Sequence, residues 1–310
     1  MKHSAGITRT AALALTAVLA GCATYDRTKA AQHQTQAIAV SYTAEELSGW
    51  SDLPIGTYRV PDSQVIVSGH QKGAGVGAAF GLLGVAIEHS MEKSAGHAAV
   101  QGSEQVLHIT LTGEGQQDLD VLLQSDEFRG KFVPPAQGLA APQLTLSGAV
   151  ILTFIDDTNV MPFVVLRARL SQPKPATEVW WTRYICGLGA PKALTGDNSW
   201  SADGGAALRA AVSAELARAL HGALTDVLAP AARDENHQVA VAGYYPFVRG
   251  RFELVGYDLA EDSQSVMFAP RIGDANVIAG ISIMDRAIVV TRPATKSDKA
   301  FRRLDDKPAH

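Results

Sequence analysis

The sequence is poor in cysteine, with only Cys22 and Cys186 among 310 residues. Two thiols cannot build a disulfide scaffold, so the fold must rest on an apolar core. Aromatic residues make up 6% of the chain, yet hydrophobic residues together reach 46%, which excludes wholesale disorder. Positive charge is not in excess: 27 basic residues face 31 acidic ones, an argument against a dedicated nucleic-acid binder. No apolar run reaches the roughly 20 residues of a membrane-spanning helix. Internal repeats are absent, and so are G-K-[ST], G-x-S-x-G and H-E-x-x-H. The length suits one or two domains.

What is present begins at the N-terminus. Residues 1–10 carry Lys2 and Arg9 and no acid, and residues 11–20 are small and apolar. A basic stretch followed by a short apolar one predicts a secretory signal. The tetrapeptide Leu19-Ala20-Gly21-Cys22 that follows is similar to the lipobox of bacterial lipoproteins. This resemblance implies cleavage before Cys22, a diacylglycerol on its thiol and acylation of the new terminus. With each buried methylene contributing about 0.8 kcal/mol, several acyl chains hold a protein at a membrane without any spanning helix. In such lipoproteins Ala23, where an Asp would retain the protein at the inner membrane, implies the outer membrane of a Gram-negative cell. Removing residues 1–21 takes away Lys2 and Arg9, moves the formal charge from −4 to −6, and leaves Cys186 as the remaining free thiol. No lysine or histidine near Cys186 in sequence would lower its pKa, so it reads as a buried, inert thiol.

Beyond the signal at 1–21, residues 22–42 are polar and small and read as a lipidated tether. Residues 43–293 read as an α+β periplasmic domain, either whole or as subdomains 43–104 and 105–293. Residues 294–310 read as a disordered tail. Thr43 to Glu46 resembles a capping box for a short helix ending near Gly49. A strand interrupted by Pro61 is expected over Tyr58–Ser68, and one over Gln105–Leu111 from the alternation of Leu107, Ile109 and Leu111. A short helix is expected at Gln116–Gln124. Leu144–Ile155 and Val160–Leu170, around Asp156-Asp157-Thr158-Asn159, predict a hairpin, with a third strand at Glu178–Cys186. Ala206–Leu228 carries the clearest helical period: Leu208, Val212, Leu216, Leu220, Leu224 and Val227 share one face, with Asp203 as N-cap and Pro230 beyond the end. Strands follow at Val239–Ala242, Arg251–Tyr257, Val266–Phe268 and within Ile278–Thr291. The fold class expected is α+β, an antiparallel-rich sheet covered by the helix at 206–228. This element order resembles small α/β domains of periplasmic and secretion-associated lipoproteins such as the curli-secretion lipoprotein.

The Gly/Ala-rich segment 73–87 invites two readings. Gly73-Ala74-Gly75-Val76-Gly77-Ala78 fits a dinucleotide fingerprint, but His70-Gln71-Lys72 separates it from the preceding strand, where a tight turn is needed. The stronger reading places Gly73, Gly77 and Gly81 on one helical stripe, a surface for close packing inside the domain or between copies. As a helix this segment spans roughly 22 Å, short of the roughly 30 Å hydrocarbon core. The histidines lack metal-ligand spacing. The pairs Asp156/Asp157 and Asp118/Asp120 suit a turn and a solvated face, and Asp197, Asn198 and Asp203 lack the spacing of a calcium loop.

No catalytic residues, metal or cofactor are assigned. The expected function is that of an outer-membrane-anchored, periplasm-facing lipoprotein that binds or supports another envelope component. Its partners would be the membrane, through lipid on Cys22, and an envelope protein, but no nucleic acid. The alternatives are an envelope hydrolase with a dispersed site and a membrane-inserting homo-oligomer built on the glycine stripe.

Overall fold

Two long apolar runs around an Asp-rich turn form the centre of the molecule. A computed structural model describes residues 27–44, 57–69, 96–135, 141–173, 176–187, 189–261, 263–272 and 278–304. In it β5 (Gln143–Phe154) and β6 (Asn159–Pro173) pair antiparallel along their whole length. The turn closes on Asp156, whose carboxylate accepts from the backbone N–H of Thr158 at 2.8 Å and of Asn159 at 2.6 Å. This Asx geometry is why Asp and Asn recur in such turns. From Leu146 to Phe154 every residue of β5 is buried. A strand buried on both faces reads as a continuous apolar run, not an alternating one.

The sheet is mixed and mostly antiparallel. β1 (Ile38–Tyr42) and β3 (Val65–Ser68) run parallel to β5 on its outer side, at Gln143–Leu146 and Val150–Thr153 respectively. β2 (Tyr58–Arg59) pairs with β3, and β4 (Phe132–Val133) lies beyond β1. On the other side β6 pairs with β7 (Ala176–Gly187), and the short β8 (Lys192–Ala193) also joins β6. β9 (Gln238–Gly243), β10 (Phe252–Glu261), β11 (Ser265–Pro270) and β12 (Ile281–Asp285) form an antiparallel series. It joins the first strands where β12 runs parallel to Tyr184–Gly187 of β7. β13 (Val290–Pro293) pairs with β9, and β14 (Phe301–Arg303) with β10.

Helices α1 (Thr112–Gln124) and α2 (Ala206–Leu228) cover one face. The expected stripe of α2 is the one that is buried: Leu208, Val212, Leu216, Leu220, Leu224 and Val227 all pack into the core, over Leu166, Tyr184 and Ile283 among others. A second apolar cluster fills the opposite face, joining Ile66, Ile151 and Phe163 to Val241, Tyr245, Leu254 and Phe268. The C-terminal strands therefore close over the face the helices leave open. The α+β class and the helix-covered sheet are as expected.

Several expectations are corrected. The segment 105–111 is not a strand: a 3-10 turn spans Glu104–Leu107, and the rest is irregular. Leu107, Ile109 and Leu111 are nonetheless buried, because Ser63 and Gln64 supply the hydrogen bonds a neighbouring strand would have made. Residues 38–42, expected as tether, are instead a sheet strand, Ile38–Tyr42, with buried Ile38, Val40 and Tyr42. Asp203 is not the cap of α2. The N-cap is Gly205 at φ +83°, and a Cβ there would meet Val106. That left-handed backbone favours glycine. The chain from 294 to 304 is ordered, not a free tail, because Arg292 grips Asp298 through two hydrogen bonds and β14 extends the sheet. The expected capping helix at 45–49 and the glycines Gly73, Gly77 and Gly81 lie outside the described residues, as does Cys22.

Candidate functional site

The first described residues, 27–31, lie against the edge of β7. That strand pairs with β6 along its length but with β12 only at Tyr184–Gly187, so Trp180–Arg183 lie outside the β12 register. Here the body captures three successive backbone carbonyls. The Thr182 hydroxyl donates to the carbonyl of Arg27. Arg233 Nε donates to that of Thr28 at 2.8 Å, and the Trp180 indole N–H to that of Lys29 at 3.0 Å. The Arg27 guanidinium stacks over the Trp181 ring, 4.6 Å from its centroid, a favourable contact of a cation with a π face. Ala31 is buried in the core beyond.

Arg233 reaches Thr28 from a buried polar cluster under the C-terminal end of α2. The Tyr184 hydroxyl donates to Asp226 Oδ2 at 2.9 Å, and Arg233 Nη1 lies 3.6 Å from Asp226 Oδ1. Burial pushes the Asp226 carboxyl above its ordinary value, against the pull of Arg233 and the Tyr184 hydrogen bond. Burial, and then the neighbouring Asp226 charge, raise the Tyr184 phenol well above its own. An ion pair in this setting fixes geometry more than it adds stability.

A groove of about 490 Å³ runs along the other side of α2. Ala214, Ala217, Gly222, Ala260, Met267 and Ile283 give it an apolar lining. Small residues on α2 let the helix approach the sheet, and a Cβ at Gly222 would lie 2.5 Å from Ile283 Cδ1. The rim is polar: Arg218 donates to Gln264 at 3.2 Å, and His221 Nε2 lies 3.0 Å from a Glu127 carboxylate oxygen. The Thr225 hydroxyl donates to the other oxygen of Glu127 at 3.3 Å.

The remaining sequence candidates fall apart in space or into structural roles. Partial burial raises the Asp156 carboxyl, but hydrogen bonds from Asn159 and Thr158 outweigh it and leave the group below its ordinary value. Burial and the Glu114 charge raise Asp118 on α1, while Asp120 accepts from Gln116. Asn198 and Asp203 occupy left-handed turn positions. Cys186 is fully buried, and burial together with Glu215 pushes its thiol well up, so it is protonated and unreactive. Among the described residues no group of three or more His, Cys, Asp or Glu could hold a metal ion. Among them, too, no helix is long and apolar enough to cross a membrane. Sequence reasoning missed the capture of residues 27–29, since its donors lie 151 to 205 residues away along the chain.

No family model matches the chain, and no curated protein matches it. Among solved structures the chain is similar to protein XCC0632 from Xanthomonas campestris, described under the family model DUF330. The two share 14% identity with a TM-score of 0.29, over 66% of this chain and 87% of that one.

Proposed function

We propose that this protein is a lipoprotein of the outer membrane, facing the periplasm, whose body binds or supports another component of the envelope. The observation that carries the reading is Leu19-Ala20-Gly21-Cys22 placed directly behind a basic and then an apolar stretch. Five residues after Cys22 the chain is pinned to the body through three successive carbonyls, as suits an anchored domain. The groove beside α2, apolar within and polar at its rim, is a surface suited to a partner chain.

The test is metabolic labelling with a fatty acid. The wild type should take up label and Cys22→Ser should lose it while accumulating precursor, because serine has no thiol to carry the diacylglycerol. Label on the serine variant, or none on the wild type, overturns the anchor. For the groove, a photo-crosslinking residue at position 217 should give an adduct in intact cells that the same residue at exposed position 209 does not. Identical patterns would remove the groove from the reading.

A further inference from the structure

The distance between Cys22 and the body is limited by covalent geometry. Five residue steps separate Cys22 from Arg27, a reach of at most about 18 Å even when fully extended. Arg27 itself cannot swing free, because its carbonyl and the next two are held by Thr182, Arg233 and Trp180. A lipid on Cys22 therefore brings one particular corner of the molecule to the bilayer, the edge of β7 where residues 27–29 are pinned.

The chemistry of that corner suits a headgroup layer. Trp181 is partly exposed and carries the Arg27 guanidinium on its ring. Arg169, the cross-strand partner of Trp181 on β6, is also partly exposed, and Lys29 is exposed. Arg27 and Arg169 thus set two guanidinium groups beside Trp181, in a chain whose processed form has a net charge of −6. Tryptophan, amphipathic and large, settles at the level of the headgroups, and long basic side chains lie there with their charges outward. Contacts too weak to recruit a free protein become effective once a short tether makes them intramolecular.

We propose that the corner formed by Arg27, Arg169 and Trp181 is a membrane-docking face, seated among the anionic phospholipid headgroups of the leaflet that holds the lipid on Cys22. The anchor then fixes orientation as well as location. The C-terminal end of α2, joined to the pinned segment through Asp226 and Arg233, is the end of that helix nearer the bilayer. Between Arg209 and Asp226 the helix rises about 26 Å. This inference rests on the lipid-anchor reading.

The test uses the full-length acylated protein reconstituted into vesicles of equimolar phosphatidylcholine and phosphatidylglycerol containing a headgroup-nitroxide lipid. A fluorophore is placed on Lys29→Cys or on Arg209→Cys, both exposed positions, while buried Cys186 is spared. The fluorophore at 29 should be quenched several-fold more than the one at 209. Trp181→Ala, or vesicles of phosphatidylcholine alone, should reduce that contrast. Equal quenching at 29 and 209 on protein whose intact mass includes the acyl chains would overturn the docking face and leave the anchor standing. Protein without acyl chains by mass would overturn the anchor, and the docking face with it.

Discussion

Tyr42 fills the space that Gly148 leaves open: a Cβ at Gly148 would lie 2.5 Å from the Tyr42 hydroxyl oxygen and 3.1 Å from Leu111 Cδ1. Gly115, on α1, bounds the same ring from another side, its virtual Cβ 2.5 Å from Tyr42 Cζ. The phenol is thus a wedge between α1 and the centre of β5, and glycine is needed at both contacts.

The first prediction concerns this wedge. Elsewhere in a strand, alanine in place of glycine would stabilise by roughly 0.5–1 kcal/mol. Here overpacking should dominate, and Gly148→Ala should destabilise by about 1–3 kcal/mol in urea unfolding. Combined with Tyr42→Phe, which removes the overlapping oxygen, the loss should shrink. Strict additivity of the two changes would mean the wedge is not what resists the methyl group.

The second concerns α2. Leu216 and Leu220 are fully buried, whereas Arg209 is exposed. Leu216→Asp or Leu220→Asp should cost several kcal/mol by burying an unpaired charge. Arg209→Ala should stay within about 0.5 kcal/mol. Thermal unfolding gives the order, and a reversal would place the wrong face of the helix against the sheet.

A third prediction uses pH. An unfolded Asp226 carboxyl titrates near 3.8, and burial raises it in the folded protein. Between those two values the folded state holds the proton more tightly, so this group's contribution is full below 3.8 and is lost as pH rises through the raised pKa. Asp226→Asn cannot ionise and should lack that segment of the profile. The difference in Tm, wild type minus variant, should therefore fall as pH rises across the window and then level off. A rising difference would show that Arg233 and Tyr184 outweigh burial.

The fourth addresses the C-terminal segment. Arg292 bonds to both Glu253 and Asp298, and Arg302 also pairs with Glu253. Arg292→Ala should release residues 294–304, with faster hydrogen exchange at Phe301–Arg303 and little change in the protection of β5 and β6. Hydrogen bonds from Arg292 hold the Asp298 carboxyl well below its ordinary value, so in the wild type this protection should persist into acid below pH 3.8. Loss of protection at the ordinary carboxylate pH would count against the network.

Local patterns carried much of this architecture. Six apolar side chains at steps of three and four identify α2 and its buried face from the sequence alone, because a helix repeats every 3.6 residues whatever surrounds it. The β5–β6 hairpin is equally legible, since Asp156 makes its turn with residues two and three positions on. The proposed signal and lipobox are contiguous in sequence and need no fold to be read. Where alternation misled, at 105–111, apolar spacing matched a strand but Ser63 and Gln64, over 40 residues distant, took the backbone hydrogen bonds. Composition likewise made 27–42 look like tether and 294–304 look like tail. What ordered them was Trp180, Thr182 and Arg233 in one case, Arg292 and β10 in the other. Sequence by itself determined the elements whose hydrogen bonds and apolar period close within a few residues. Only the tertiary structure decided the groove beside α2 and the pinned corner at β7, because a polar segment is ordered by partners that chain folding brings to it, and nothing in its own composition names them.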